Sequence, residues 1–149
     1  MPHKQPRSAQ VVIFAETERG REFLLLKRVA SHGGFWQPVT GSLEDEETHV
    51  EAAVREVGEE TGITAGAEDL IDLMLVNTFE IAPQWQAKYA PGVTHNEEVC
   101  FALRVDKCEV SLDSVEHEAW AWVDYDTAIG MLHWESNKRA LACVAGVFE

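Results

Sequence analysis

Apolar residues near the N-terminus fall in two unbroken runs, Val11-Val12-Ile13-Phe14 and Phe23-Leu24-Leu25-Leu26. They read as short buried strands joined by the polar turn Glu18-Arg19-Gly20-Arg21. Ser31-His32-Gly33-Gly34 reads as a loop. Phe35 to Gly41 is aromatic, then extended, with a backbone bend expected at the glycine. From Thr48 to about Thr61 the rhythm changes: Val50, Ala53, Val54 and Val57 recur at helical spacing, and Gly62 supplies a C-terminal stop. Leu70 to Ile81 and Val99 to Val105 predict further strands, with Ala82 to Gly92 an exposed loop or hairpin tip between them. Trp120-Ala121-Trp122-Val123 predicts another strand. Asp124 is placed to cap a helix to about Leu132, and Glu135 to Val147 predicts a last helix. Strands interleaved with helices imply one α/β domain over residues 1–149 with a mixed sheet.

Composition narrows the function classes. A chain of 149 residues with 46% hydrophobic and 26% charged residues fits a soluble domain with a real core. The net charge of −14 argues against nucleic acid or an anionic membrane as partner. No apolar run is long enough to span a bilayer, and Met1 to Ser8 lacks the apolar centre of a secretory signal. Cys100, Cys108 and Cys143 show no paired spacing and read as reduced thiols, so the expected compartment is the cytoplasm.

The chemistry lies in residues 41–63. Gly41, Glu47, Arg55, Glu56, Glu59, Glu60 and Gly62 form the pattern G-x5-E-x7-R-E-(aliphatic)-x-E-E-x-G-(aliphatic). On a helix Glu56, Glu59 and Glu60 stand three and four apart and share a face. Carboxylates packed so closely repel one another and raise each other's pKa. Mg²⁺, a hard cation shared between carboxylates and substrate phosphates, relieves that repulsion, and Mn²⁺ is the other candidate. Arg55 can grip a carboxylate with both arms of its guanidinium, and Glu47 at the helix entrance is a plausible partner.

These residues make the chain resemble the Nudix hydrolases at every fixed position of that family's box. The resemblance implies a mixed sheet sandwiched between helices, with the box as a loop-helix-loop, and metal-dependent cleavage of a diphosphate linked to another moiety. Glu46 stands where many boxes have glycine, which leaves the path of that loop open. The flanks narrow the substrate: Phe35-Trp36-Gln37-x-Val39-Thr40-Gly41-Ser42, Tyr89-Ala90-Pro91-Gly92-Val93-Thr94-x-Asn96, Glu116-His117 ahead of Trp122, and Trp134-x-Ser136-Asn137-Lys138-x-Ala140. Together they resemble the bacterial branch that hydrolyses dihydroneopterin triphosphate to the monophosphate and pyrophosphate in folate synthesis. Its members often carry a dATP-cleaving label as well.

By position, the resemblance implies metal ligation by Glu56, Glu60 and Glu116. Glu59 becomes either the general base or a residue that steadies the ligands, and Arg55 and Glu47 support the site. Lys4, Arg28 and Thr40 are expected near the phosphates. Phe79-Glu80-Ile81 is expected to line the pterin: Glu80 would accept from its amino and ring N–H edge, while Phe79 would either stack on it or serve as a core aromatic. His133 and Trp134 would close over the substrate, whereas Trp36, Trp85, Trp120 and Trp122 read as packing. The expected partner is a small-molecule triphosphate; the oligomeric state is not predicted. Two other activities fit the same box: a (d)NTP pyrophosphohydrolase acting on dATP or related nucleotides, and a binding module without turnover.

Overall fold

The structure, a computed structural model, describes residues 3–146. Its centre is a seven-stranded sheet. The strands are β1 (Arg7–Thr17), β2 (Gly20–Arg28), β3 (Trp36–Gln37), β4 (Val39–Ser42), β5 (Ile71–Glu80), β6 (His95–Arg104) and β7 (His117–Val123). The helices are α1 (His49–Thr61), α2 (Tyr125–Met131) and α3 (Glu135–Ala145). The expected end of the last helix at Val147 lies outside the described residues; within them α3 stops at Gly146, which takes the left-handed conformation.

The unbroken apolar runs are explained by layers on both faces of the sheet. Ala9, Val11 and Ile13 of β1, Leu24 and Leu26 of β2, and Phe101 and Leu103 of β6 pack with Ala53 and Val57 of α1. The alternate positions Val12, Phe14, Phe23, Leu25, Cys100 and Ala102 pack with Ala128, Leu132, Ala140, Leu141 and Val144 on the opposite side. A strand covered on both faces needs apolar residues at every position, so alternation disappears. The result is an α/β/α sandwich with a mixed sheet, since β1 runs parallel to β6 and antiparallel to β2 and β4.

β1 organises this sheet. One edge pairs with β6 from Arg7 to Phe14, while the other is divided between β4 (Ser8 to Val11) and β2 (Phe14 to Thr17). β2 then carries β7 and β3. The bend expected at Gly41 is absent: Gly41 sits inside β4, paired with Ala9, and its backbone is not left-handed. Its lack of a side chain serves a different purpose, described below.

One stretch of the sheet is polar inside. Gln10, fully buried, donates to Glu98 Oε1 at 2.8 Å, and Asn77 Nδ2 donates to the same oxygen at 3.1 Å. Asn137 Nδ2 at the start of α3 donates to Gln10 Oε1 at 3.2 Å. Burial pushes the Glu98 carboxyl up, and the hydrogen bonds from Asn77, Gln10 and Cys100 offset only part of that rise. A carboxyl raised in the folded state binds its proton more tightly there than in the unfolded chain, so its contribution falls as pH rises through and above the ordinary carboxylate range. Glu98→Gln keeps an oxygen acceptor and removes the buried charge. It is expected to raise the melting temperature at pH 8 by about 2–4 °C, as ~1 kcal/mol does in a domain of this size, and to give no gain near pH 5. Calorimetric melts at the two pH values check this.

Candidate active site

The box folds into a loop, α1 and a tight exit because each end is chemically closed. Thr48 Oγ1 accepts from the Glu51 N–H at 3.2 Å, and Glu51 Oε1 accepts from the Thr48 N–H at 2.9 Å, a reciprocal cap. Gly62 ends the helix at φ 77°, in the left-handed region. In the loop ahead of α1 the left-handed step falls at Asp45, φ 46°, rather than at Glu46, and Gln5 Nε2 donates to the Asp45 carbonyl at 2.6 Å. The missing glycine is therefore accommodated one residue earlier.

Arg55 holds the acidic face in order. Its Nε and Nη2 donate to the two oxygens of Glu47 at 2.8 and 2.9 Å, a two-armed grip. Nη1 donates to Glu56 Oε1 at 2.7 Å and Glu59 Oε2 at 2.8 Å, and Nη2 also donates to the Ser42 carbonyl at 3.0 Å. The guanidinium holds Glu47 below the usual carboxylate range, and these carboxylates in turn drive the Arg55 pKa up. A lysine cannot reproduce a planar fork. Arg55→Lys is expected to cost about 2 kcal/mol of stability in urea titrations, with part of it recovered when Glu47→Gln is added.

Glu56 and Glu60 lie one turn apart on α1, with Glu56 against Gly41. A Cβ at Gly41 would stand 2.1 Å from Glu56 Cδ, so the glycine makes room for that carboxylate. Glu60 is only 5% exposed, and its Oε1 has no hydrogen-bond partner. Burial, and then the neighbouring Glu56, raise its pKa well above the ordinary value. Glu59, by contrast, is exposed and pairs with Arg55. Val57, on the far side of the helix, is fully buried in the core, while Val54 is half-buried.

Residues from elsewhere in the chain surround this pair. Glu116 Oε2 lies 3.7 Å from Arg28 Nη2 and 3.3 Å from His32 Nδ1. Glu116 and Arg28 both act electrostatically on Glu60, with opposite sign. His117 is 3% exposed, with Nε2 3.5 Å from Glu60 Oε1. Its pKa is lowered, first by burial and then by Arg28. The N-terminal segment is tied down: the Lys4 N–H donates to the Lys88 carbonyl at 2.8 Å, and Lys4 bridges to Tyr89. The Lys4 ammonium is pushed down by its surroundings and by Lys88 and Arg28, and pulled up by Glu116 and Glu56. Thr40 neighbours Gly41 on β4, its hydroxyl accepting from Gln37 Nε2 at 3.3 Å.

The remaining expected contacts divide. Phe79 and Glu80 are exposed on β5 at the sheet edge, whereas Ile81 is buried. Phe79 is thus not a core aromatic. His133 is exposed and stacks on Phe35, with ring centroids 6.2 Å apart, and Trp134 meets Phe35, His133 and Trp85 edge-on or tilted. This aromatic group joins residues 35, 85 and 133–134, with Arg28 over Phe35 at 5.7 Å. Trp85, read from sequence as packing, belongs to it. Its members are far apart in the chain, so no local pattern announced the cluster. Trp120 and Trp122 pack against the α1-side core as expected.

Among the described residues no three carboxylate, imidazole or thiol groups form a ready-made cation cage. The donor set still suits a hard divalent cation. Glu60 presents a buried oxygen without a partner, Glu56 stands beside it, and their mutual repulsion leaves the pair short of positive charge.

Comparisons with known proteins agree with the fold. A sequence model of the NUDIX domain matches residues 4–142. The chain is 40% identical over 141 residues to dihydroneopterin triphosphate diphosphatase of Escherichia coli K12, covering 93% of this chain and 91% of that one. It is 35% identical to the protein of the same name from Haemophilus influenzae, covering 95% and 88%. The solved structure of the E. coli dihydroneopterin triphosphate pyrophosphohydrolase superposes with a TM-score of 0.82 at 38% identity, covering 95% of this chain and 96% of that one.

Proposed function

The chain belongs to the Nudix family, and on that premise we propose that it hydrolyses dihydroneopterin triphosphate to the monophosphate and pyrophosphate. The observation that carries this reading is that Arg28 Nη2 lies 3.7 Å from Glu116 and acts electrostatically on Glu60, while Lys4 is pulled by Glu116 and Glu56. Anionic side chains and cationic side chains facing one space suit a polyphosphate held partly by protein and partly by metal. The namesake relatives at 35–40% identity supply the identity of the group attached to it.

Glu56, Glu60 and Glu116 are the proposed ligands of Mg²⁺, with Mn²⁺ as the substitute. When bound, the cation supplies charge neutralisation for the phosphates and a lowered pKa for an attacking water. The chain's own residues do the rest by positioning, which dominates phosphoryl chemistry. Lys4 and Arg28 bind the phosphate oxygens, and Thr40 offers a hydroxyl beside them. Arg55 and Glu47 hold Glu56 and Glu59 in place. Glu59, the exposed carboxylate of the box, is available to take a proton from water. The Phe35–His133 stack, walled edge-on by Trp134, is the proposed contact surface for a fused ring, and Phe79 and Glu80, exposed on the edge strand β5, are the further proposed contacts.

Among the described residues no helix is long and apolar enough to cross a membrane. A substrate panel tests the reading. The values of kcat/KM for dihydroneopterin triphosphate, dATP and dGTP are compared, with product analysis. The expected result is a pterin preference with pyrophosphate release. A preference of about a hundredfold for a nucleotide would replace the pterin assignment by the (d)NTP one. Absence of Mg²⁺-dependent turnover on every member would leave only a binding module.

A further inference from the structure

Five of the eight buried side-chain atoms without a hydrogen-bond partner, among the described residues, belong to one cluster. They are Arg28 Nε, His32 Nδ1, Glu60 Oε1 and both ring nitrogens of His117. A buried polar group left unpaired costs free energy, and five together single out this cluster. Within it, the closest approach of one orphan to another of opposite kind is His117 Nε2 to Glu60 Oε1, at 3.5 Å. His32 Nδ1 and Arg28 already have Glu116 in front of them. His117 faces Glu60.

The backbone explains why His117 points inward. β7 opens at His117, opposite Arg28, where the β2–β7 pairing changes register between Lys27 and Arg28. A bulge of this kind re-aims side chains. The segment is fixed on both sides: the Val29 N–H donates to the Glu116 carbonyl at 3.0 Å, and the His117 N–H donates to the Asp113 carbonyl at 2.9 Å. Adjacent residues thereby take opposite duties, with Glu116 toward Arg28 and His32, and His117 toward the carboxylate on α1.

We propose that His117 is a positioning residue for Glu60: its Nε2, 3.5 Å from Oε1, donates its N–H to the Glu60 carboxylate and fixes the orientation in which that carboxylate would meet a cation. A partner behind a ligating carboxylate fixes its orientation and tunes the affinity it confers. The inference rests on the reading of Glu60 as a metal ligand.

Direct Mn²⁺ binding, followed by electron paramagnetic resonance of the free ion, tests it without turnover. His117→Gln places an amide N–H near the position of Nε2, whereas the shorter His117→Asn places it near Nδ1, out of reach of Glu60. The expected result is a dissociation constant close to wild type for Gln and weaker by about ten- to hundredfold for Asn. Thermal melts of the two variants are expected to agree. His117→Phe, which fills the space without a donor, is expected to match Asn. Equal binding by the Gln and Asn variants, whether strong or weak, overturns the positioning role. Glu60→Gln separates the two levels: if it binds Mn²⁺ like wild type, the ligand role of Glu60 fails, and that of His117 with it.

Discussion

Glu60→Gln is expected to stop turnover and, in the same protein, to raise the melting temperature measured without metal. The two effects have one cause. Glu60 is buried with an unpaired oxygen and lies against Glu56, so in the metal-free protein its negative charge opposes folding. An amide keeps the size and removes the charge. For catalysis the same change takes away a proposed ligand, and kcat is expected to drop on the order of 10³-fold, the scale seen when a preorganised electrostatic group is removed. Steady-state kinetics with saturating Mg²⁺, and melts with chelator and with Mg²⁺, check both halves. The stability gain should shrink or reverse once Mg²⁺ is added, because metal binding stabilises only the wild type. A variant that lost activity and also lost stability in chelator would show Glu60 to be a structural residue.

Gly41→Ala is expected to reduce kcat/KM by about a hundredfold while leaving the fold in place. The added methyl would overlap Glu56 Cδ, Cγ and Oε1 at 2.1, 2.4 and 2.4 Å. These atoms end a flexible side chain, so the conflict is relieved by moving Glu56 rather than by opening the sheet. The backbone of Gly41 is not left-handed, so alanine meets no conformational penalty there. The movement displaces Glu56 from Glu60 and from Arg55 Nη1, and a shift of about 1 Å in a reacting assembly costs on the order of 10²-fold. Circular dichroism should be unchanged. A Gly41→Ala protein with normal activity would mean that Glu56 has no fixed place in the reaction.

The central elements were legible because their signals are local. The apolar runs of β1 and β2, the helical spacing through Val57, the stop at Gly62 and the helix cap at Asp124 all read correctly. The starts of β1 and β6 did not, because they are polar. Asn96 and Glu98 are buried in β6 and hydrogen-bonded to Ser8 and Gln10 in β1, 88 residues away, and a polar residue reveals a buried strand only once its partner is known. The site divides in the same way. The box carries its spacing within one helix, so Arg55, Glu56 and Glu60 were readable. Gly41 was noticed for the wrong reason, since its role depends on a side chain of another element. His117 was visible only as the neighbour of Glu116, and its approach to Glu60 depends on a bulge. The aromatic group depends on three distant segments meeting at Trp134.

The division of β1 between three partners sets an order of assembly. Its β2 and β4 neighbours are complete by Ser42, but the whole other edge waits for β6, which ends at Arg104. During synthesis the first strand therefore emerges with one row of backbone donors and acceptors open and apolar on both faces, until residues some ninety positions later arrive. Pairing across such a span is slow to close. An exposed strand edge of this kind is also where nascent chains join one another. Yield from rapid expression is therefore governed by how long that edge stays uncovered, and slowing elongation between Ser42 and His95 would prolong the exposure.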